Sequence, residues 1–399
     1  MSLTFNGQHD PWGKPGKESL AGRLWSKMPG ATGLKDSETY SEMWMGTYPT
    51  LPSRLASNGE LLLDHLKKNP HLVGDAVKEK FGLDIPFLPK VLSFQKALPL
   101  QIHPDKALAE RLHEKNPEEF GDSNHKPEIA IALSRFESFV GFKPLEELSE
   151  IVQLKPLQPF APGQKLNDKS LRDLCKTMLE LSPEKVSELV KQLQQLPKSD
   201  LGKYDFIPGL LSRLNEQYSQ FDNGNLVAVL FMNYMILEPG EALCVPADSM
   251  HAYLSGDILE CMARSDNVLN VGFCPRSARD NVELFSEALT FKPHQPKDAY
   301  LPPKSVPIGV NGKTKAYMPP FSEFNVLSLD LAAGQTETHI PLQAPSILIV
   351  TQGSGELRNT KKNERIEISE GNVFFVGPDA ELSFSTSDGL TIYRSCATF

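Results

Sequence analysis

The spacing of apolar and polar residues changes character twice along the chain. From about Phe87 to Phe142, short apolar or β-branched runs are broken by Pro and Gly, and Lys90–Phe94, Leu98–His103 and Glu128–Leu133 read as strands. The alternation from Glu128 to Leu133 predicts a half-buried strand of a barrel or sandwich. A Pro-rich loop, Lys155 to Gly163, then opens a helical stretch. Ser182 is placed as an N-cap with Pro183 in the first turn, and Val186, Leu189, Val190 and Leu193 recur at helical spacing. A further helix is predicted over Pro208 to Tyr218. Strand character returns at Leu226–Leu237, turns through Glu238-Pro239-Gly240-Glu241, and continues past Gly272. The tail, from about Pro302, is strand-like at Ser346–Val350 and Asn372–Val376, punctuated by Gly353, Gly355 and Gly371, and weakly echoes the first β unit.

These patterns predict a mainly β chain with an α-helical insert. Residues 1–144 and 223–300 form one β domain, 145–222 the helical insert, and 301–399 a second β domain. The 399 residues, 40% of them hydrophobic, suffice for well-packed cores. A formal charge of −9 with no basic run argues against a nucleic-acid surface. No stretch approaches the roughly eighteen consecutive apolar residues of a membrane helix, and Met1 to Asp10 carry no secretory pattern. Five scattered cysteines without a CxxC pair point away from a disulfide framework and toward a reducing, cytoplasmic location.

Three segments carry candidate chemistry. In Gln101-Ile102-His103-Pro104-Asp105-Lys106, Gln101 and His103 fall on one strand face. In Lys126-Pro127-Glu128, a charged pair heads a strand that otherwise reads as core. In Pro246-Ala247-Asp248-Ser249-Met250-His251-Ala252-Tyr253, His251 and Tyr253 share a face, and Glu260 and Met262 are placed on the following strand. Taken singly, His103 reads as a hydrogen-bonded strand histidine and Lys126 with Glu128 as a rim salt bridge. Together the segments offer two imidazoles, one carboxylate and one amide oxygen. That donor set suits zinc with a coordination position left open, and its single negative charge keeps the ion electrophilic. His339 stands without a second ligand at useful spacing and reads as a surface or hydrogen-bonded histidine.

The pattern QxHPDK, KPE and PAxxxHAYLxGDxxExM with Ser265-Asp266-Asn267-Val268 closely resembles the type I phosphomannose isomerase family, in its fungal-like form. So do Trp12-Gly13, Trp44-Met45-Gly46-Thr47 and Gly371-Asn372-Val373-Phe374-Phe375. The resemblance implies two cupin, jelly-roll-like β-barrels plus a helical domain, the second barrel metal-free. It implies one Zn2+ per chain on Gln101, His103, Glu128 and His251. The implied activity is interconversion of mannose 6-phosphate and fructose 6-phosphate through an enediol, feeding GDP-mannose and mannosylation pathways, in a monomeric enzyme whose partner is a small sugar phosphate. It places Lys126, Tyr253, Glu260 and Asp266 around this pocket, and of these Glu260 is the one expected here to act as proton shuttle. The substrate's phosphate would fall to Lys126, Arg276, Arg264 and the position of Asn270.

Two departures fall on the anion-binding side. The substrate-facing arginine of the family pattern is Asn270 here, and its serine is Pro99. The family's TPK is Cys274-Pro275-Arg276, which keeps a cation, and Arg264 and Arg279 lie nearby in sequence as candidate substitutes. These departures leave a second reading, a divergent paralogue with altered sugar substrate or lost catalysis. A different metal-dependent cupin enzyme, such as an iron oxygenase, is a third.

Overall fold

A computed structural model gives the structure of residues 1–397, and of Arg276 the backbone alone. The chain is mostly β, with two curled half-barrel sheets and a helical region between the strands of the first. Nine strands of the first unit position the site: β1 (Glu42–Trp44), β2 (Phe87–Phe94), β3 (Leu100–Ile102), β4 (Glu128–Ala132), β5 (Phe136–Phe142), β6 (Met232–Leu237), β7 (Ala242–Val245), β8 (His251–Ala263) and β9 (Leu269–Gly272).

Strand β8 turns the corner of this barrel. Its first residues pair with β5 and β3, and Gly256–Ala263 pair with β2 and β4. Between the halves the register slips, since Ser138 faces Tyr253 while Glu137 faces Ser255, leaving Leu254 as an extra residue. Such a bulge bends a strand and re-aims the side chains beyond it. Gly256 completes the bend at φ 139°, where a Cβ would lie 2.9 Å from Arg135 O and 3.0 Å from Phe136 Cα. His251 and Tyr253 therefore share the barrel interior with Ile258 and Glu260, although the offset from 253 to 260 is odd. Glu260 and Met262 thus lie on the same strand as His251, which corrects the expectation of a separate one.

Strand β4 corrects a second expectation. All five of its residues are buried, so it is not half-buried. Ala130 and Ala132 face the barrel, while Ile129 and Ile131 pack outward with Val91, Leu259 and Cys261 against Ile347 and Phe375 of the C-terminal unit. Each of those isoleucines contributes about 1.5–3 kcal/mol by leaving water, and together they bind the two β units.

After β5 the chain enters the helical region and returns through β6, which pairs with β5. Ser182 caps the helix Pro183–Gln194 by accepting Lys185 N–H, and Val186, Leu189, Val190 and Leu193 form its buried face. The helix Ile207–Gln217 lies where the spacing predicts one. The stretch Leu226–Phe231, expected as strand, belongs instead to a helix, Asn223–Phe231, capped by Asp222 through Gly224 N–H. Every residue of it is buried, so it carries no amphipathic stripe, and a short apolar run of this kind reads equally as strand. Strand structure also stops at Gly272 rather than continuing beyond it, and the helix Val282–Ala288 follows.

The C-terminal unit repeats the corner device. Its long strand Ser346–Asn359 pairs first with Val373–Val376 and Leu390–Cys396, then with Glu364–Ser369 and Leu382–Ser385, with a register shift between Val350 and Gln352. This is the structural basis of the echo between the two units. His339 is buried there rather than at the surface, within hydrogen-bonding distance of Thr314 Oγ1 (3.0 Å) and beside Arg394. Among the described residues no helix is long and apolar enough to cross a membrane.

Candidate metal centre

Three strand ends converge inside the first barrel. Glu128 opens β4, His251 opens β8, and His103 directly follows β3. Ligand atoms of His103, Glu128 and His251 all lie within 4.8 Å of one another, and all three residues are buried. His103 Nε2 is 3.3 Å from Glu128 Oε2, and His251 Nε2 is 3.1 Å from Glu128 Oε1. Gln101 stands opposite His251 in the β3–β8 register, which puts its amide on the same sheet face.

The backbone decides which imidazole nitrogens are free. His103 Nδ1 lies 2.8 Å from Asn267 O, and His251 Nδ1 lies 3.0 Å from Ser249 O. A carbonyl only accepts, so each Nδ1 carries the proton and each Nε2 presents a lone pair. Burial pushes the His103 imidazole down to about 3, which keeps it neutral. His103 Nε2, His251 Nε2 and Glu128 Oε2 are buried with no hydrogen-bond partner. Three converging acceptors without a donor would each cost roughly 1–3 kcal/mol. A divalent cation among them removes that cost, so the residues present fit a metal ion. Two histidines and a carboxylate are a donor set suited to zinc.

Glu128 is ionised. Burial alone would push its carboxyl up, whereas a proton on His251 or His103 would hold it well below the usual range, a part that a cation among the three takes over when both imidazoles are neutral. Tyr253 Oη donates to Glu128 Oε1 at 2.6 Å, and burial with Glu128 keeps that phenol protonated. Asn267 serves the centre twice over. Its carbonyl takes His103 Nδ1–H, while its side chain donates to Asp122 O (2.7 Å) and Asn124 O (3.1 Å).

Glu260 faces the same interior from the far half of β8. Burial and then Glu128 push its carboxyl up to about 7, near the point where it can take or give a proton. Lys90 sits opposite it in β2, its Nζ 3.6 Å from both Glu260 Oε2 and Glu42 Oε2. Burial alone would depress this ammonium, but Glu42 and Glu260 raise it. Its Nζ also lies 4.0 Å from the Trp44 ring, and Trp44 Nε1–H donates to Glu42 Oε2 at 2.6 Å. Sequence reasoning missed Lys90 and Glu42. The available signal was a lone lysine inside the apolar run Phe87–Phe94.

The remaining predicted residues divide. Lys126 is buried, its Nζ 3.9 Å from Asp266 Oδ1, and Asp266 is half exposed on a loop tied to Asp122. Arg264 is engaged elsewhere, by Asp84 at 3.0 Å and Thr47 at 3.2 Å. Arg279 is likewise held by Asp222 at 2.8 Å. Asn270 lies opposite Gln101 in β9. The Arg276 side chain lies outside the described residues.

Comparison with known proteins points one way. The family profile for the phosphomannose isomerase type I catalytic domain matches residues 1–145, and that for the type I C-terminal domain matches residues 317–361. A mannose-6-phosphate isomerase of Ogataea parapolymorpha is 36% identical over 412 residues, covering 97% of this chain and 96% of the relative. One from Schizosaccharomyces pombe is 36% identical over 406 residues, with 96% of each chain covered. A solved zinc-bound mannose 6-phosphate isomerase superposes with a TM-score of 0.82 at 25% identity, covering 100% of this chain and 99% of that one.

Proposed function

The chain belongs to the type I phosphomannose isomerase family, and from that premise we propose that it interconverts mannose 6-phosphate and fructose 6-phosphate through an enediol, with one zinc ion per chain. The observation that carries this reading is the buried set His103, Glu128 and His251 with its partnerless acceptors, facing a carboxyl at about 7 on Glu260. Gln101 completes the proposed ligand set with a neutral oxygen. Zinc held there would supply electrophilic polarisation of a sugar carbonyl or hydroxyl.

The chain's own groups do the rest. Glu260 takes the proton from one of the two sugar carbons and returns it to the other, and Lys90 and Lys126 offset the negative charge that develops on oxygen. Tyr253 has its proton committed to Glu128, so its oxygen accepts from a sugar hydroxyl. Asp266, 3.9 Å from Lys126, sets where that ammonium points. Lys126 and Arg276 hold the phosphate, with Asn270 offering an amide in place of a charge. Arg264 joins them only by leaving Asp84.

The five cysteines are all free, which supports a reducing, cytoplasmic setting. We place the enzyme there as a monomer of cupin-type barrels supplying GDP-mannose synthesis. The domains then run 1–144 with 223–300, 145–222, and 301–399.

Proton transfer is the step to test. Turnover of mannose 6-phosphate in D2O should place deuterium at C2 of the recovered aldose, and Glu260→Gln should abolish that exchange while zinc stays bound. Unchanged exchange in Glu260→Gln removes Glu260 from the role, and no conversion of mannose 6-phosphate to fructose 6-phosphate by the zinc-loaded native enzyme rejects the isomerase reading.

A further inference from the structure

Three side chains form a row across the floor of the centre. His251 in β8 faces Gln101 in β3, and Gln101 faces Asn270 in β9. Directly opposed residues of antiparallel strands project to the same side, with Cβ atoms about 4.5–5.5 Å apart. The imidazole, the glutamine amide and the asparagine amide therefore lie side by side. The Asn270 backbone is clamped in place, its N–H donating to Asp280 Oδ2 at 2.6 Å and its carbonyl accepting from Asp280 N–H at 2.8 Å. Its side-chain Oδ1 is buried and has no hydrogen-bond partner.

A glutamine that gives its oxygen to a cation has two N–H donors on the other limb of the amide. Oxygen and nitrogen are nearly the same size, so only hydrogen bonding tells the amide which way to face. Asn270 Oδ1 is an acceptor in want of a donor, on the residue directly opposite. We infer that Asn270 is a positioning residue for Gln101: once Gln101 Oε1 turns to a bound metal, Asn270 Oδ1 accepts Gln101 Nε2–H and holds that orientation. This role rests on the reading of Gln101 as a zinc ligand. A cationic side chain at position 270 has no acceptor to offer. Asparagine here gives up a charge and gains control over the ligand's orientation.

The test is a zinc titration against a chelating indicator, starting from metal-free protein. Asn270→Leu keeps the size and removes the acceptor. It should raise the zinc Kd about ten-fold, as loss of a ligand's hydrogen-bond partner does at other metal sites. In a Gln101→Ala background the same substitution should change Kd by less than about two-fold, because the ligand it orients is gone. Melting of the metal-free proteins checks that each variant is folded, and Asn270→Ala serves if leucine is not accommodated. An unchanged Kd in Asn270→Leu overturns the role, and so does an equal loss in both backgrounds. His103→Ala is the control for the centre as a whole: if it leaves zinc affinity intact, the metal site itself is wrong and the role falls with it.

Discussion

The carbonyl oxygen of Asn267 lies 2.8 Å from His103 Nδ1, across 164 residues of chain. That contact fixes the imidazole's tautomer, and the loop that carries it is tied down through the Asn267 side chain on Asp122 and Asn124. Loop and ligand are thus one unit. Asn267→Ala cuts the tie while leaving every ligand in place. Zinc affinity should fall at least ten-fold, read by metal competition, and a wild-type affinity would show that the loop holds its shape without it.

In the proposed role of base, Glu260 should set the acid limb of activity. It acts as a base only when ionised, and burial with Glu128 raises its carboxyl to about 7 in the metal-free protein. Zinc adds positive charge nearby and lowers that value, so kcat/KM should rise with pH to an inflection at or below about 7. Lys90→Met removes the cation 3.6 Å away. The inflection should then move to higher pH, and a shift to lower pH contradicts the assignment.

Gly256 is where β8 changes sheets. At φ 139° an alanine is strained, and its Cβ would press on Arg135 O and Phe136 Cα. Gly256→Ala should cost about 1–3 kcal/mol, measured by denaturant unfolding. Turnover should fall further than zinc affinity, because Glu260 lies beyond the bend while His251 lies before it. Equal losses in both would contradict that division.

His339 should govern part of the acid stability of the C-terminal unit. Burial and Arg394 hold its imidazole down at about 3, against an ordinary value of 6.5. Below about 6.5 the unfolded chain takes up a proton that the folded protein refuses until about 3. Stability therefore falls as pH drops through that window. His339→Gln keeps a hydrogen-bonding group and removes the titration, so its stability should decline less steeply between pH 6.5 and 4. An identical slope would place the titration elsewhere.

Much of the centre is legible in the chain. Gln101 and His103 are two apart, Glu128 heads a strand, and His251 with Tyr253 follows a proline-bearing loop. These are local facts of spacing, and they survive folding. Glu260 was less legible, since strict alternation puts it on the opposite face from Tyr253 and only the bulge at Leu254 reverses that. Lys90 and Glu42 act through strand pairing between distant segments, which no local pattern reports. The helix Asn223–Phe231 was hidden because a segment buried all round has no periodicity to read. The outer face of β4 looked half-solvated because its cover, Ile347 and Phe375, comes from residues more than two hundred positions away.

The most direct measurement is isomerase turnover against zinc added back to metal-free protein, with mannose 6-phosphate as substrate and Glu128→Ala in parallel. Activity should climb linearly to one zinc per chain and level off, while Glu128→Ala stays inactive at every ratio. Turnover that ignores zinc, or one zinc bound per chain with no turnover, would contradict a zinc isomerase built on His103, Glu128 and His251.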